Sequence, residues 1–98
     1  MNIVKEDICM AALDEICKEY FEQDEYSLRG SKESAVCLEK NASGWSVYES
    51  EKNSRNDTCM FDNIVEAGLD FLKRLCTTVD YKTLKNTFFE TIIGQKIA

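Results

Sequence analysis

Hydrophobic positions recur at two different periods along this chain of 98 residues, and the changes of period mark its elements. Between residues 5 and 23, Cys9, Leu13, Ile16, Cys17 and Tyr20 fall three or four apart with Ala12 beside them. Asp14, Glu15, Lys18, Glu19 and Glu22 occupy the rest of the barrel, the pattern of an amphipathic helix. The period then shortens. Glu25-Tyr26-Ser27-Leu28-Arg29 alternates briefly before Gly30-Ser31-Lys32 interrupts it, and Ser34 to Glu39 reads as a strand. Asn41-Ala42-Ser43-Gly44 is turn chemistry, its Asn and Gly suited to positive φ. In the next strand Trp45, Val47 and Glu49 share one face and Ser46, Tyr48 and Ser50 the other. Glu51 to Asp57 has no apolar anchor and predicts a seven-residue loop, followed by a short strand from Thr58 to Phe61.

The helical period returns after Asp62, whose carboxylate is placed to cap the new helix. Val65, Gly68, Leu69, Leu72, Leu75 and Cys76 form its apolar stripe, widened by Ile64 and Phe71, and Lys73 and Arg74 suit the negative end of the helix dipole. Gly68 in mid-helix costs about 1 kcal/mol relative to Ala, so a close approach of the helix to the sheet is expected there. A last helix starts at Asp80, with Val79 and Leu84 spaced as a hydrophobic staple, Leu84, Phe88 and Ile92 as its apolar face and Gly94 as its stop. The expected fold is a single α+β domain over residues 1–98. It has an N-terminal helix, a three- to four-stranded antiparallel meander, and two C-terminal helices packed on one face of the sheet.

Composition narrows the chemistry. No apolar run approaches the roughly 20 residues that cross a bilayer. Met1 to Asp7 lacks the basic start and apolar stretch of a secretory signal, so a cytoplasmic location is expected. There is no His, the commonest acid–base residue and metal ligand. The five cysteines include no Cys-x-x-Cys pair, fall on apolar positions and read as free buried thiols rather than zinc ligands. Gly30, Gly44, Gly68 and Gly94 are isolated from one another, so no phosphate loop is present. No cofactor or metal is expected. Glu49 and Glu51 share a strand face about 6.6–7 Å apart, a separation that suits paired glycosidase carboxylates. A solvent-facing row of acids is the commoner use of such a pair.

Charge points instead to a protein partner. Residues 1–26 hold Lys5 and Lys18 against eight Asp and Glu, which accounts for the whole net charge of −6, while the rest of the chain balances. Such a field disfavours nucleic acid and anionic membranes and favours a basic protein. If the helices cover the Trp45 face, Trp45 is core and Tyr48 stands on the open face, or else packs under a loop or terminal helix. An exposed Tyr among small polar and acidic groups has the composition of a binding hot spot.

The stretch Gly44-Trp45-x-Val47-Tyr48-Glu49-x-Glu51-Lys52, followed by Phe61-Asp62 and a helix ending Leu72-Lys73-Arg74-Leu75, resembles small immunity proteins of bacterial polymorphic-toxin systems over about residues 26–76. Lys52-Asn53 stands where members of that group have Arg-Gly, and Val65 where a Glu would complete a capping box. The resemblance implies a protein that binds a cognate toxin domain and blocks it, without catalysis of its own. A basic, nuclease-like toxin fits the charge. Glu19, Glu22, Asp24 and Glu25, at the end of the first helix, together with Tyr48, Glu49 and Glu51, are the expected partner-binding residues. The alternative is a small adaptor or regulatory module that binds a protein without inhibiting it.

Overall fold

The computed structural model describes residues 6–52 and 54–97. The elements run α1 (Glu6–Tyr20), a 3-10 turn (Gln23–Glu25), β1 (Tyr26–Ser27), β2 (Val36–Asn41), β3 (Gly44–Glu51), β4 (Ser54–Phe61), α2 (Ile64–Leu75) and α3 (Tyr81–Ile97). The expected α+β architecture is present: an N-terminal helix, a four-stranded sheet and two C-terminal helices. The expected helix start at Lys5 and the expected loop position Asn53 lie outside the described residues.

The sheet differs from the expected antiparallel meander in two places. Its strand order is β1-β2-β3-β4, but β1 pairs with β2 in parallel, Tyr26 opposite Val36. Parallel neighbours ordinarily need a crossover of a dozen or more residues. Residues 28–35 suffice because β1 is only two residues long and Gly30 (φ 115°) and Ser34 (φ 60°) turn the chain back. The second difference is β4, which starts at Ser54 rather than Thr58. Glu51 pairs with Ser54, so only two residues separate the strands, with Lys52 at φ 50°, rather than a seven-residue loop. Hairpins favour such positive-φ turns because their twist matches that of the strands. The first half of β4 carries no apolar alternation because neither of its faces is covered.

A bulge interrupts the β3–β4 ladder. Val47 pairs with Cys59 but Glu49 with Asn56, so Asp57 (φ 53°) and Thr58 together oppose Tyr48. One extra residue on one strand bends it and sharpens its twist.

The register divides the sheet cleanly. Val36 and Leu38 of β2, Trp45 and Val47 of β3 and Phe61 of β4 share the face on which α2 lies. Ile64, Ala67, Phe71, Leu72 and Leu75 of α2 join Leu38, Val47 and Trp45 in one buried cluster with Cys9, Leu13, Ile16 and Cys17 of α1 and Leu84, Phe88 and Ile92 of α3. Trp45 is core as expected, 5% exposed, and its Nε1 donates to Glu6 Oε2 at 3.3 Å. α2 is the helix laid on the sheet, whereas α3 packs mainly on α1 and α2. Gly68 shows why. A Cβ there would lie 3.2 Å from both Leu13 Cδ1 and Phe88 Cζ, so the glycine admits the two other helices and not the sheet.

The helix ends also moved. Asn63, not Asp62, caps α2, its Oδ1 accepting from Glu66 N at 2.9 Å with extended φ and ψ. The one-residue shift puts Glu66 at the third helical position where Val65 stood in the sequence-based frame. Asp80 does cap α3, accepting from Thr83 N at 3.2 Å. Gly94 is no stop, since α3 runs on to Ile97. No helix among the described residues is long and apolar enough to cross a membrane.

Candidate partner-binding site

Three of the predicted acidic residues, Glu25 from the first third of the chain and Glu49 and Glu51 from its middle, come to one end of the sheet. Tyr26, Val36, Glu49 and Asn56 form one row across the four strands, placing Glu25 beside the start of β2 and the end of β3. Here Glu25, Glu49, Glu51 and Asp57 line an open-sided cleft of about 550 Å³, with Ser50 and the end of α2 forming other parts of its wall. Arg74 is the one basic residue among the described residues that line the cleft with these four acids.

Arg74 organises this cleft. Its side chain is 12% exposed, and its Nε donates to Asp70 Oδ2 at 2.9 Å, one helical turn earlier. Its Nη2 donates to the carbonyl oxygen of Asp57 at 2.6 Å, which ties the end of α2 to the bulge of β4. Nη1 is buried without a hydrogen-bond partner among the described residues and lies 3.6 Å from Glu49 Oε2. One guanidinium therefore holds Asp70, the bulge and Glu49 in fixed relation, as its rigid fork of donors allows. Glu49 remains about half exposed and Glu51 is exposed, so both present charge to solvent.

The remaining predicted residues divide. Glu22 and Asp24 are exposed and flank Glu25 without lining the cleft. Glu25 Oε2 accepts from the Glu22 backbone N–H at 2.8 Å, which orients one carboxylate of the cleft. Glu19, exposed in the last turn of α1, is not part of the cleft wall.

Tyr48 is a correction. It stands on the face opposite α2, as the alternation required, but it is fully buried. The loop of residues 28–35 folds over it, and Ala35, Cys37 and Tyr48 make a second, small cluster there. Its hydroxyl donates to Glu39 Oε1 at 2.8 Å, and Arg55, itself 3.2 Å from Glu39, lays its guanidinium 4.4 Å from the ring centre. The loop is pinned by Cys37 Sγ to Lys32 O at 3.6 Å and by the Lys52 backbone N–H to Glu33 Oε2. Burial, and next the hydrogen bond to Glu39, pushes the Tyr48 hydroxyl up to about 12. The phenol is thus a neutral interior group and offers no surface to a partner.

Thiol chemistry follows the same division. Cys9, Cys17 and Cys37 are buried as expected, whereas Cys76 is half-buried and Cys59 is exposed on β4. Burial pushes Cys9 up to about 11, with Glu6 and Asp7 adding to it, and Cys17 up to about 12. Protonated, enclosed thiols are poor nucleophiles. Among the described residues no three His, Cys, Asp or Glu side chains are gathered as a metal site.

Sequence reasoning missed Arg74 and Asp57. The Asp70–Arg74 pair at i, i+4 was readable as a helix-surface ion pair, but its direction inward, toward a bulge the sequence does not announce, was not. No family model, curated protein or solved structure matches the chain.

Proposed function

We propose that this protein neutralises a cognate bacterial toxin domain by binding it through the acidic end of the sheet, in the cytoplasm of the cell that makes both, and that it is not itself an enzyme. The observation that carries the reading is the convergence of Glu25, Glu49 and Glu51 with Asp57 around one open cleft. Carboxylates so placed steer a basic partner during encounter and select against acidic ones. A net charge of −6 extends that field beyond the cleft. A basic, nuclease-like domain is the complementary partner, because covering its nucleic-acid surface with an acidic protein blocks its substrate. The resemblance of the Gly44–Asp62 stretch to immunity proteins supports the same reading.

The test is binding of the C-terminal domain encoded by the adjacent gene, measured from about 50 mM to about 500 mM salt, where screening shortens the reach of exposed charges. Affinity is expected to fall steadily with salt, and Glu49→Gln with Glu51→Gln to slow association about tenfold. Rescue of cells from that domain is the accompanying assay. Tight binding without rescue identifies an adaptor, and an anionic partner or salt-independent binding rules out the electrostatic reading.

A further inference from the structure

The two edges of the sheet are unequal. β1 offers two residues, whereas β4 offers eight, with Ser54 to Met60 exposed. Which backbone groups of β4 face outward follows from the register. Ser50 N donates to Ala35 O at 2.9 Å, so the backbone groups of Ser50 face β2. These directions alternate along an antiparallel strand. Glu49 and Glu51 therefore face β4, as do Trp45 and Val47, and their partners Asn56, Ser54, Phe61 and Cys59 are engaged in the β3 ladder. Arg55 and Met60 lie between them and point their N–H and C=O groups away from the sheet. With Asp57 as the extra residue of the bulge, Thr58 does so too.

Proteins ordinarily blunt such an edge with lysines, prolines or charges that an incoming strand would have to bury. β4 has neither Lys nor Pro. Its one cation, Arg55, is drawn back over the Tyr48 ring and onto Glu39. The bulge is the remaining guard. Beside the edge, on the α2 side of the sheet, Ser54 and Asn56 are short side chains standing opposite Glu51 and Glu49. At the other end of the strand Met60 is 57% exposed.

We propose that β4 takes up an extended basic segment of the partner as a fifth strand, its backbone pairing with Arg55, Thr58 and Met60 and its Lys or Arg side chains reaching the carboxylates of Glu49, Glu51 and Asp57. This inference rests on the toxin-binding reading above. Main-chain pairing supplies affinity in strand addition, and the alternate side chains supply selectivity. Charge complementarity chooses the occupant, because a second copy of the chain would bring another net −6 to an already acidic edge.

Hydrogen exchange of the full chain, alone and with the C-terminal domain of the adjacent gene, tests this together with Met60→Pro. The Met60 N–H faces outward, so proline there leaves the β3 ladder intact, as edge strands tolerate. Exchange in residues 54–61 is expected to slow at least about tenfold in the complex, and the folded Met60→Pro protein to bind about tenfold more weakly with an unchanged salt dependence. The exchange measurement on the native chain decides the matter even where the variant fails to fold. A domain that binds, and weakens with salt, while residues 54–61 exchange freely overturns strand addition and leaves the acidic-cleft reading standing. A domain that does not bind overturns both. Dimerisation of the free chain at about 100 µM, abolished by Met60→Pro, gives the edge to a second copy and overturns the proposal.

Discussion

On one face of the sheet Leu38, Val47 and Trp45 pack beneath α2, with α1 and α3 completing the core; on the other, Cys37 and Tyr48 lie beneath a loop of residues 28–35. Both faces end up dry at β3, by different physics. The helix side is held by apolar area, which is non-directional and shared among many residues. The loop side depends on a few oriented contacts, Tyr48 to Glu39, Arg55 over the ring, and the Cys37 thiol to the carbonyls of Lys32 and Ala35. The first arrangement tolerates adjustment. The second holds only while each of those groups keeps its partner, since a buried polar group left alone is costly.

High pH acts on both faces and produces the largest expected effect. Cys9 and Cys17, on the helix side, sit at about 11 and about 12 in the fold, against 9.0 when exposed. Tyr48, on the loop side, sits at about 12 against 10.0. A raised value means the folded state keeps its proton after the unfolded chain has lost it. Stability is therefore intact below pH 9 and falls as pH rises toward 12, by at most about 1.4 kcal/mol per pH unit for each linked group. Between pH 9 and 10 the thiols contribute most, with Cys37 and Cys76, which burial also raises, adding to Cys9 and Cys17. In urea titrations across that window, Cys9→Ala with Cys17→Ala should flatten the decline more than Tyr48→Phe does. Greater flattening by Tyr48→Phe than by the two thiol substitutions would contradict the assignment.

A pair of substitutions at neutral pH compares the faces directly. Leu38→Ala empties a fully buried position under α2 and should cost about 2–5 kcal/mol, the range for such deletions in packed cores. Tyr48→Phe keeps the ring under Arg55 and removes only the hydroxyl donated to Glu39, which should cost about 1 kcal/mol because Glu39 retains Arg55. Chemical denaturation of both variants measures the ratio. Equal losses would mean that the loop side is as cooperative with the core as the helix side.

The same contrast explains what the sequence disclosed. Three helices, the strands around Trp45 and the core positions were legible because the helix side writes itself as periodicity: Leu13, Ile16, Leu72 and Phe88 each fall where the pattern requires. The loop side leaves no such trace. Nothing in Ser31-Lys32-Glu33-Ser34 announces that it covers Tyr48, so the sequence left Tyr48 between an open face and a loop-covered one. β4 escaped for the reciprocal reason. A strand open on both faces needs no apolar alternation, and Ser54 to Asp57 looked like a loop although the backbone pairs with β3 through the bulge. For the site, Glu25, Glu49 and Glu51 were individually visible as exposed acids. Their meeting was not, since it depends on β1 running parallel to β2 and on the inward turn of Arg74.

Thiol labelling resolves the smallest difference, the free energy at which each face opens. With exposed Cys59 and half-buried Cys76 replaced by Ser, Cys9, Cys17 and Cys37 remain, all buried. Cys9 and Cys17 belong to the main cluster and react only when it comes apart. Cys37 needs only the loop to lift, breaking the contact from its Sγ to Lys32 O and little apolar packing beyond Ala35 and Tyr48. Local openings of this kind fall below the global unfolding free energy and expose less surface. In a disulfide-exchange assay at pH 8, Cys37 should therefore react first, with a rate that depends weakly on urea, while the other two follow the global unfolding curve. If all three share one urea dependence, residues 28–35 are part of the cooperative core, and the loop covering Tyr48 would have to be ranked with the helices as a structural layer.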